Sequence, residues 1–185
     1  MTQDVLWMTE TYFKDNSILN DNVDWKIVQP IMISVQDQYI QPILGTNLFD
    51  EIANEIQAAS ISSDNQTLLN LYVRKCIIWY VLSELAPALK YRFQNKGVMV
   101  RSGENSQPGS LEEIQYTVKM YKDKAEWYAE RVTAFLRETA TTSVYANYYN
   151  GTITSDEILP NSTNYTTSIF LDNDECDACK KNFFK

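Results

Sequence analysis

The chain has 185 residues, 44% of them hydrophobic, a net charge of −8 and no histidine. That length is enough to bury a core without disulfides, and the negative charge disfavours bulk binding of nucleic acid or of an anionic membrane surface. Without histidine there are no Ser-His or Cys-His nucleophilic pairs, no His-bearing zinc sites and no imidazole general base, so the expectation is a protein that is not an enzyme and holds no cofactor.

Residues 1–22 read as a short capping segment ending in the polar cluster NSILNDN. Acids near the start stand where a signal peptide needs basic residues, and no apolar run is long enough to span a bilayer. The four Asn-x-Ser/Thr sequons at Asn65, Asn150, Asn161 and Asn164 are therefore read as incidental. Three cysteines suit a reducing compartment better than a disulfide framework.

From Val23 onward, Ile27, Val28, Ile31, Met32, Val35, Tyr39, Ile40, Ile43 and Leu44 recur at steps of three and four, predicting one buried helix face. Pro30 lies inside this run and predicts a kink or a late start. In ILGTN, Gly45 can close the helix and Asn47 can cap the next, with Asp50 and Glu51 in its first turn. The result is a tight αα-corner into LFDEIANEI. SISSDNQT is the next turn, with Ser63 and Gln66 at capping-box spacing. A third helix carries Leu68, Leu69, Tyr72, Val73, Cys76, Ile77, Tyr80, Val81 and Leu85 on one face, with Ile78, Trp79 and Leu82 making it apolar nearly all round. It is read as the central helix, bent or ended by Pro87.

NKGVMVRSGENSQPGS, Asn95 to Ser110, then holds three of the five glycines. Neither GxGxxG nor GxxxxGK[ST] is present, so these glycines mark turns and not a phosphate cradle. Val98 and Val100 alternate as in a short strand, predicting a projecting β-hairpin or long arm. Ser110 and Glu113 form a full capping box. The helix it opens carries Leu111, Ile114, Val118, Tyr121, Ala125, Tyr128, Val132, Phe135 and Leu136 at unbroken spacing. Trp79, Tyr80, Trp127 and Tyr128 are read as packing groups.

Past Thr139 the sequence turns rich in Thr, Asn and Ser, yet carries Tyr145, Tyr148, Tyr149, Tyr165 and Phe170. Solvated tails are poor in aromatics, so this is read as an extended arm lying against its own helices or a neighbouring subunit. Near the end, Cys176 and Cys179 have redox or zinc spacing but lack a second pair, and Cys76 falls on an apolar face. The domain reading is a helical body over 1–138, with a loop arm at 94–110, followed by a C-terminal arm over 139–185.

Charge is segregated along the chain. Between Ile27 and Val73 stand Asp37, Asp50, Glu51, Glu55 and Asp64 with no basic residue. Between Leu85 and Gly103 stand Lys90, Arg92, Lys96 and Arg101 with no acid. Two solvated faces would give this pattern, and so would head-to-tail association of copies, in which a basic loop meets an acidic hairpin.

Three stretches together resemble the head-to-tail connector (adaptor, or neck ring) proteins of tailed bacteriophages, in the version of the crAss-like phages. They are TETYFKDNSILNDNVDWKIVQPIMISVQDQYIQPILGTNLFDEI, LSELAPALKYRFQNKGV and YKDKAEWYAERVTAFL. The resemblance covers roughly residues 8–171, and its most specific part is Q-x-x-Y-I-Q-P-I-L-G-T-x-L, Gln36 to Leu48, followed by N-K-G-V, Asn95 to Val98. It implies an all-α protomer of about four main helices in a virion neck ring, expected to be dodecameric, between portal and tail. Its partners would be copies of itself, the portal and adjacent ring proteins, with DNA passing the lumen unbound. Lys96, Gly97, Val98, Val100 and Arg101 of the loop arm and the five aromatics of the C-terminal arm are then the expected protein contacts, opposite the acidic Asp37, Asp50, Glu51 and Glu55. The alternative is a small helical adaptor binding nucleic acid through the basic 90–101 segment or metal through Cys176 and Cys179.

Overall fold

The computed structural model describes residues 5–94, 97–100, 110–141, 143–148 and 158–160, with the backbone alone at 92–94 and 97–100. The fold is all-α, a helical bundle, to which a two-stranded antiparallel hairpin is attached. Four long helical runs make the bundle, and a short helix from the N-terminal segment joins them.

That short helix, α1 (Glu10–Asn16), lies where the sequence predicts only a capping segment. Thr9 caps it by accepting the Tyr12 amide, and Lys14 pairs with Glu10 one turn earlier at 2.7 Å. The segment folds because it has apolar surface to bury: Trp7 and Phe13 are both in the core. Trp7 packs on Phe49 with ring centroids 4.8 Å apart. Its amide donates to Oε1 of the buried Gln36, whose Nε2 donates to the Val5 carbonyl. Arg74 Nε donates to the Trp7 carbonyl, so both backbone polar groups of that buried residue are satisfied.

The first long run is α2 (Trp25–Val35), a π turn at Gln36–Ile40, and α3 (Gln41–Leu44). Asp24 caps it by accepting the Lys26 amide, and the helix continues through Pro30 without a late start. The irregularity falls instead before Pro42. A proline there has no N–H and its ring crowds the carbonyl four residues back. The Gln41 amide reaches back five residues to Gln36, which opens the turn and adds one residue to it. The buried face consequently steps from Val28, Met32 and Val35 to Ile40 and Leu44. Tyr39 is rotated outward to stack on Tyr80 at 4.1 Å and donate to Glu84.

After Gly45 comes α4 (Thr46–Gln57), which buries Leu48, Phe49, Ile52 and Ala53. Its start corrects two expectations. Asn47 lies inside the helix and not at its cap, and Asp50 and Glu51 fall beyond its first turn. The next cap is Ser62, one residue earlier than the sequence predicts and without a capping box. It opens the central run: α5 (Ser63–Leu68), a π turn at Leu69–Val73, and α6 (Arg74–Lys90). At 1.5 Å per residue this run is about 40 Å long. Its burial on nearly every side agrees with the sequence reading: Cys76, Ile77, Ile78, Tyr80, Val81, Leu82, Ser83 and Leu85 are all inside. Pro87 occupies the last turn, and the Tyr91 amide closes the helix on the Pro87 carbonyl.

The hairpin follows immediately. Strand β1 (Tyr91–Gln94) pairs with β2 (Gly97–Val100), Tyr91 opposite Val100 and Gln94 opposite Gly97. It begins earlier than the sequence predicts, because Tyr91–Gln94 supplies the first strand. Then α7 (Leu111–Thr139) runs back antiparallel to the central run, opened by the Ser110–Glu113 capping box with both reciprocal bonds formed. Cys76 Sγ donates to the Ala125 carbonyl at 3.5 Å, Tyr72 stacks on Phe135 at 4.4 Å, and Trp79 meets Tyr121 at 5.6 Å. Burial pushes the Cys76 thiol up, as befits a core residue. Leu111, expected on the buried face, is exposed.

Candidate interaction site

The best-built polar site among the described residues lies at the corner between α3 and α4. Gly45 has φ 77° and ψ 153°, a conformation essentially reserved for glycine. A β-carbon there would lie 2.7 Å from Pro160 Cδ, so the corner needs glycine for a second reason: the C-terminal arm lies directly on it. Thr46 holds the arm from both sides. Its amide donates to the Ile158 carbonyl at 2.9 Å, and its Oγ1 accepts the Ile158 amide at 2.9 Å. Gln41 Nε2 donates to the same Oγ1 at 3.1 Å, fixing the hydroxyl. Since α4 has no side-chain cap of its own, the Ile158 carbonyl serves one of the amides that a helix start leaves without an internal partner. The socket is thus made by Gln41, Gly45 and Thr46, all within the Gln36–Leu48 stretch.

A second attachment holds the root of the arm. Tyr145 and Tyr148 are buried in the core of their own chain, around the short 3₁₀ turn Ala146–Tyr148. The Tyr145 ring meets Phe135 edge-on at 5.9 Å, and its hydroxyl donates to the Asp64 carbonyl at 2.6 Å. Burial, with smaller contributions from Asp64 and Tyr72, pushes the Tyr145 phenol up to about 12. Asn147 Nδ2 donates to Glu51 at 2.7 Å. Of the two resting places expected for the arm, these residues use the protomer's own helices. Tyr149, Tyr165 and Phe170 lie outside the described residues, as do Lys96, Arg101, Cys176 and Cys179.

The acids expected to form one face divide into separate roles. Glu51 and Glu55 converge on the buried Asn65, whose Nδ2 donates to both at 3.2 and 2.8 Å. Glu55 also accepts from the amide and hydroxyl of Ser62, so this cluster ties α4 to the start of α5. Asp50 is half-buried on α4, and Asp37 is exposed on the π turn. Gly97, Val98 and Val100 form β2. Asp64, in the first turn of the central run, and Lys90, in its last turn, stand about 40 Å apart along that helix, whereas the π turn that carries Asp37 packs beside Tyr80 and Glu84.

Two further surfaces are less legible in the sequence. On α7, Tyr116, Met120 and Trp127 are exposed within one outward stripe, so Trp127 departs from its expected packing role. Arg131 lies over the Trp127 ring at 5.0 Å, and Lys124 covers Trp79 at 4.4 Å. Between α1 and α6 is an open groove of about 500 Å³ lined by Trp7, Tyr12, Trp25, Ile56 and Arg74. The Arg74 guanidinium lies 5.0 Å above Tyr12 and donates to Asn70. Sequence reasoning misses Gln41, Thr46, Asn65, Arg74 and Ile158–Pro160, because partners far apart along the chain leave no local pattern. Among the described residues, no group of three or more Cys, Asp or Glu is placed to hold a metal ion, and no helix is long and apolar enough to cross a membrane.

No curated protein and no solved structure matches this chain. One family model does, over residues 40–168, a span that includes both the Gly45 corner and the segment docked on it. With that much of its length matched, the chain belongs to DUF6712, a family of unknown function.

Proposed function

We propose that this chain is a structural virion protein, a head-to-tail connector whose copies close into a ring in the neck of a tailed phage, with DNA passing through the lumen. The observation that carries the reading is the chemistry of Gln36–Leu48, the stretch most specific to the connector resemblance. Its glycine and the polar residues beside it are spent on holding a polypeptide segment, Ile158–Pro160, and not on a reactive group.

Other features support the same reading. Acidic Asp64 and basic Lys90 stand at opposite ends of one helical run, an arrangement suited to head-to-tail packing of identical copies. The hairpin and an apolar stripe on α7 offer surfaces for neighbours. A net charge of −8 suits a channel through which DNA must slide, since a strongly basic wall would hold phosphates by releasing their counterions. On this reading the ring holds twelve copies and its rims meet the portal and the next ring of the neck.

The test is native mass spectrometry of the purified chain, alone and mixed with the portal of its own phage. A closed ring in either condition supports the proposal. A metal-loaded monomer that shifts DNA, and stays monomeric with portal, rejects it.

A further inference from the structure

The arm is longer than its attachments require. Its root is fixed beside Glu51 by Asn147 and by the buried Tyr148. Its docked segment is fixed at Thr46 by Ile158. Glu51 and Thr46 lie on the same helix five residues apart, about 8 Å at 1.5 Å per residue. Residues 149–157 join the two attachments, and an extended chain of that length reaches about 35 Å. The connection therefore has several times the reach that docking on its own body needs.

The two attachments also differ in kind. Tyr148 is fully buried, as a permanent part of the core would be. Ile158 and Leu159 remain 41% and 50% exposed, and among the described residues the docked segment is held by two hydrogen bonds and the Pro160–Gly45 contact. Such a contact opens without disturbing the core.

We infer that the Gly45–Thr46 corner is an exchangeable socket: in the assembled protein it receives Ile158–Pro160 from a neighbouring copy, while the free chain fills it with its own. The exchange uses identical contacts in both states, so it costs little beyond placing the neighbour, and it links copies without new complementary surface. Each arm then joins one protomer to the next. Once the second contact is intramolecular within the assembly, its effective concentration is set by the connecting segment, residues 149–157.

The inference rests on the ring reading only for the existence of a neighbour, and disulfide trapping separates the two. In a Cys176→Ser, Cys179→Ser background, the double variant Thr46→Cys, Ile158→Cys and the two single variants are made in full-length chain. Oxidised as a dilute monomer, the double variant is expected to form an intrachain disulfide, which fixes the geometry of the socket. The single variants, mixed and assembled with portal, are expected to give a product of twice the chain mass, in which the new thiol at position 46 of one copy is bonded to the new thiol at position 158 of another. An oligomer by native mass spectrometry in which the mixed singles stay uncoupled overturns the exchange and leaves the ring intact. Coupling confined to dimers supports exchange and contradicts the ring. Failure of the dilute double variant to close its disulfide, or an uncoupled monomer under every condition, overturns the exchange as well.

Discussion

The ring of Pro160 rests on the α-carbon of Gly45, so close that a β-carbon on residue 45 would stand 2.7 Å from Pro160 Cδ. A glycine that looks from sequence like a simple helix stop is therefore also the floor of a binding surface. Gly45→Ala should suffer twice: about 1–3 kcal/mol from holding a positive φ with an extended ψ, and a further loss from the clash with the arm. Replacing Pro160 with glycine removes Cγ and Cδ but leaves the Pro160 nitrogen 3.1 Å from that β-carbon, so it should return most of the second loss and none of the first. Urea unfolding of the native chain, the two single variants and the double variant checks this. The predicted result is a coupling above the roughly 0.5 kcal/mol scatter of independent sites, and simple additivity contradicts it.

Asn65 is buried, and its side-chain amide donates to Glu51 and Glu55 at once. Removing that amide in Asn65→Ala leaves two carboxylates facing each other with their shared hydrogen-bond donor gone. The expected cost is about 1–3 kcal/mol, with a drop in Tm of several degrees measured by calorimetry. The loss should exceed that of Ser63→Ala, whose side chain is exposed beside the same helix start.

Tyr145 makes stability depend on alkaline pH. Its hydroxyl donates to the Asp64 carbonyl and so must keep its proton in the folded chain. Its folded pKa, about 12, exceeds the ordinary value of 10.0. A phenol shifted upward stabilises the fold fully below its unfolded pKa, and that contribution is lost as pH climbs from there through the folded pKa. The urea midpoint of the native chain should thus fall between pH 10 and 12, and Tyr145→Phe should fall less steeply over the same window. At neutral pH the same substitution should cost about 1 kcal/mol for the lost hydrogen bond.

Lys96 and Arg101 follow the central run into the hairpin region and are proposed to touch protein. Neutralising both should weaken assembly with the portal, read by native mass spectrometry, while leaving the weak affinity for duplex DNA and its salt dependence unchanged. Salt-sensitive DNA binding that disappears in Lys96→Gln, Arg101→Gln would place these cations on phosphates instead.

Much of the bundle is readable in the sequence because its helices announce themselves periodically. The unbroken spacing from Leu111 to Leu136, opened by Ser110 and Glu113, corresponds to α7 with its box intact. The all-round apolar surface from Leu68 to Leu85 corresponds to the central helix. Departures cluster where a distant partner decides the local outcome. α1 forms because Trp7 and Phe13 find a core built by residues far along the chain. Asn47 does not cap α4, whose first amide is already served by the arm's Ile158 carbonyl. Pro30 is the proline that the pattern marks as disruptive, yet the π turn precedes Pro42. The hairpin starts ahead of its predicted place because Tyr91–Gln94 directly continues a helical sequence, and its alternation of Tyr91 and Phe93 with Arg92 and Gln94 spans only four residues.

The central claim is that the informative surfaces of this chain exist to be covered by copies of itself and by neighbouring virion proteins. Cryo-microscopy of the neck of the assembled phage tests it most directly. The account predicts density for a closed ring between portal and tail into which this bundle fits, with a copy's Ile158–Pro160 at each Gly45 corner. Particles that carry a complete neck without this chain would contradict it.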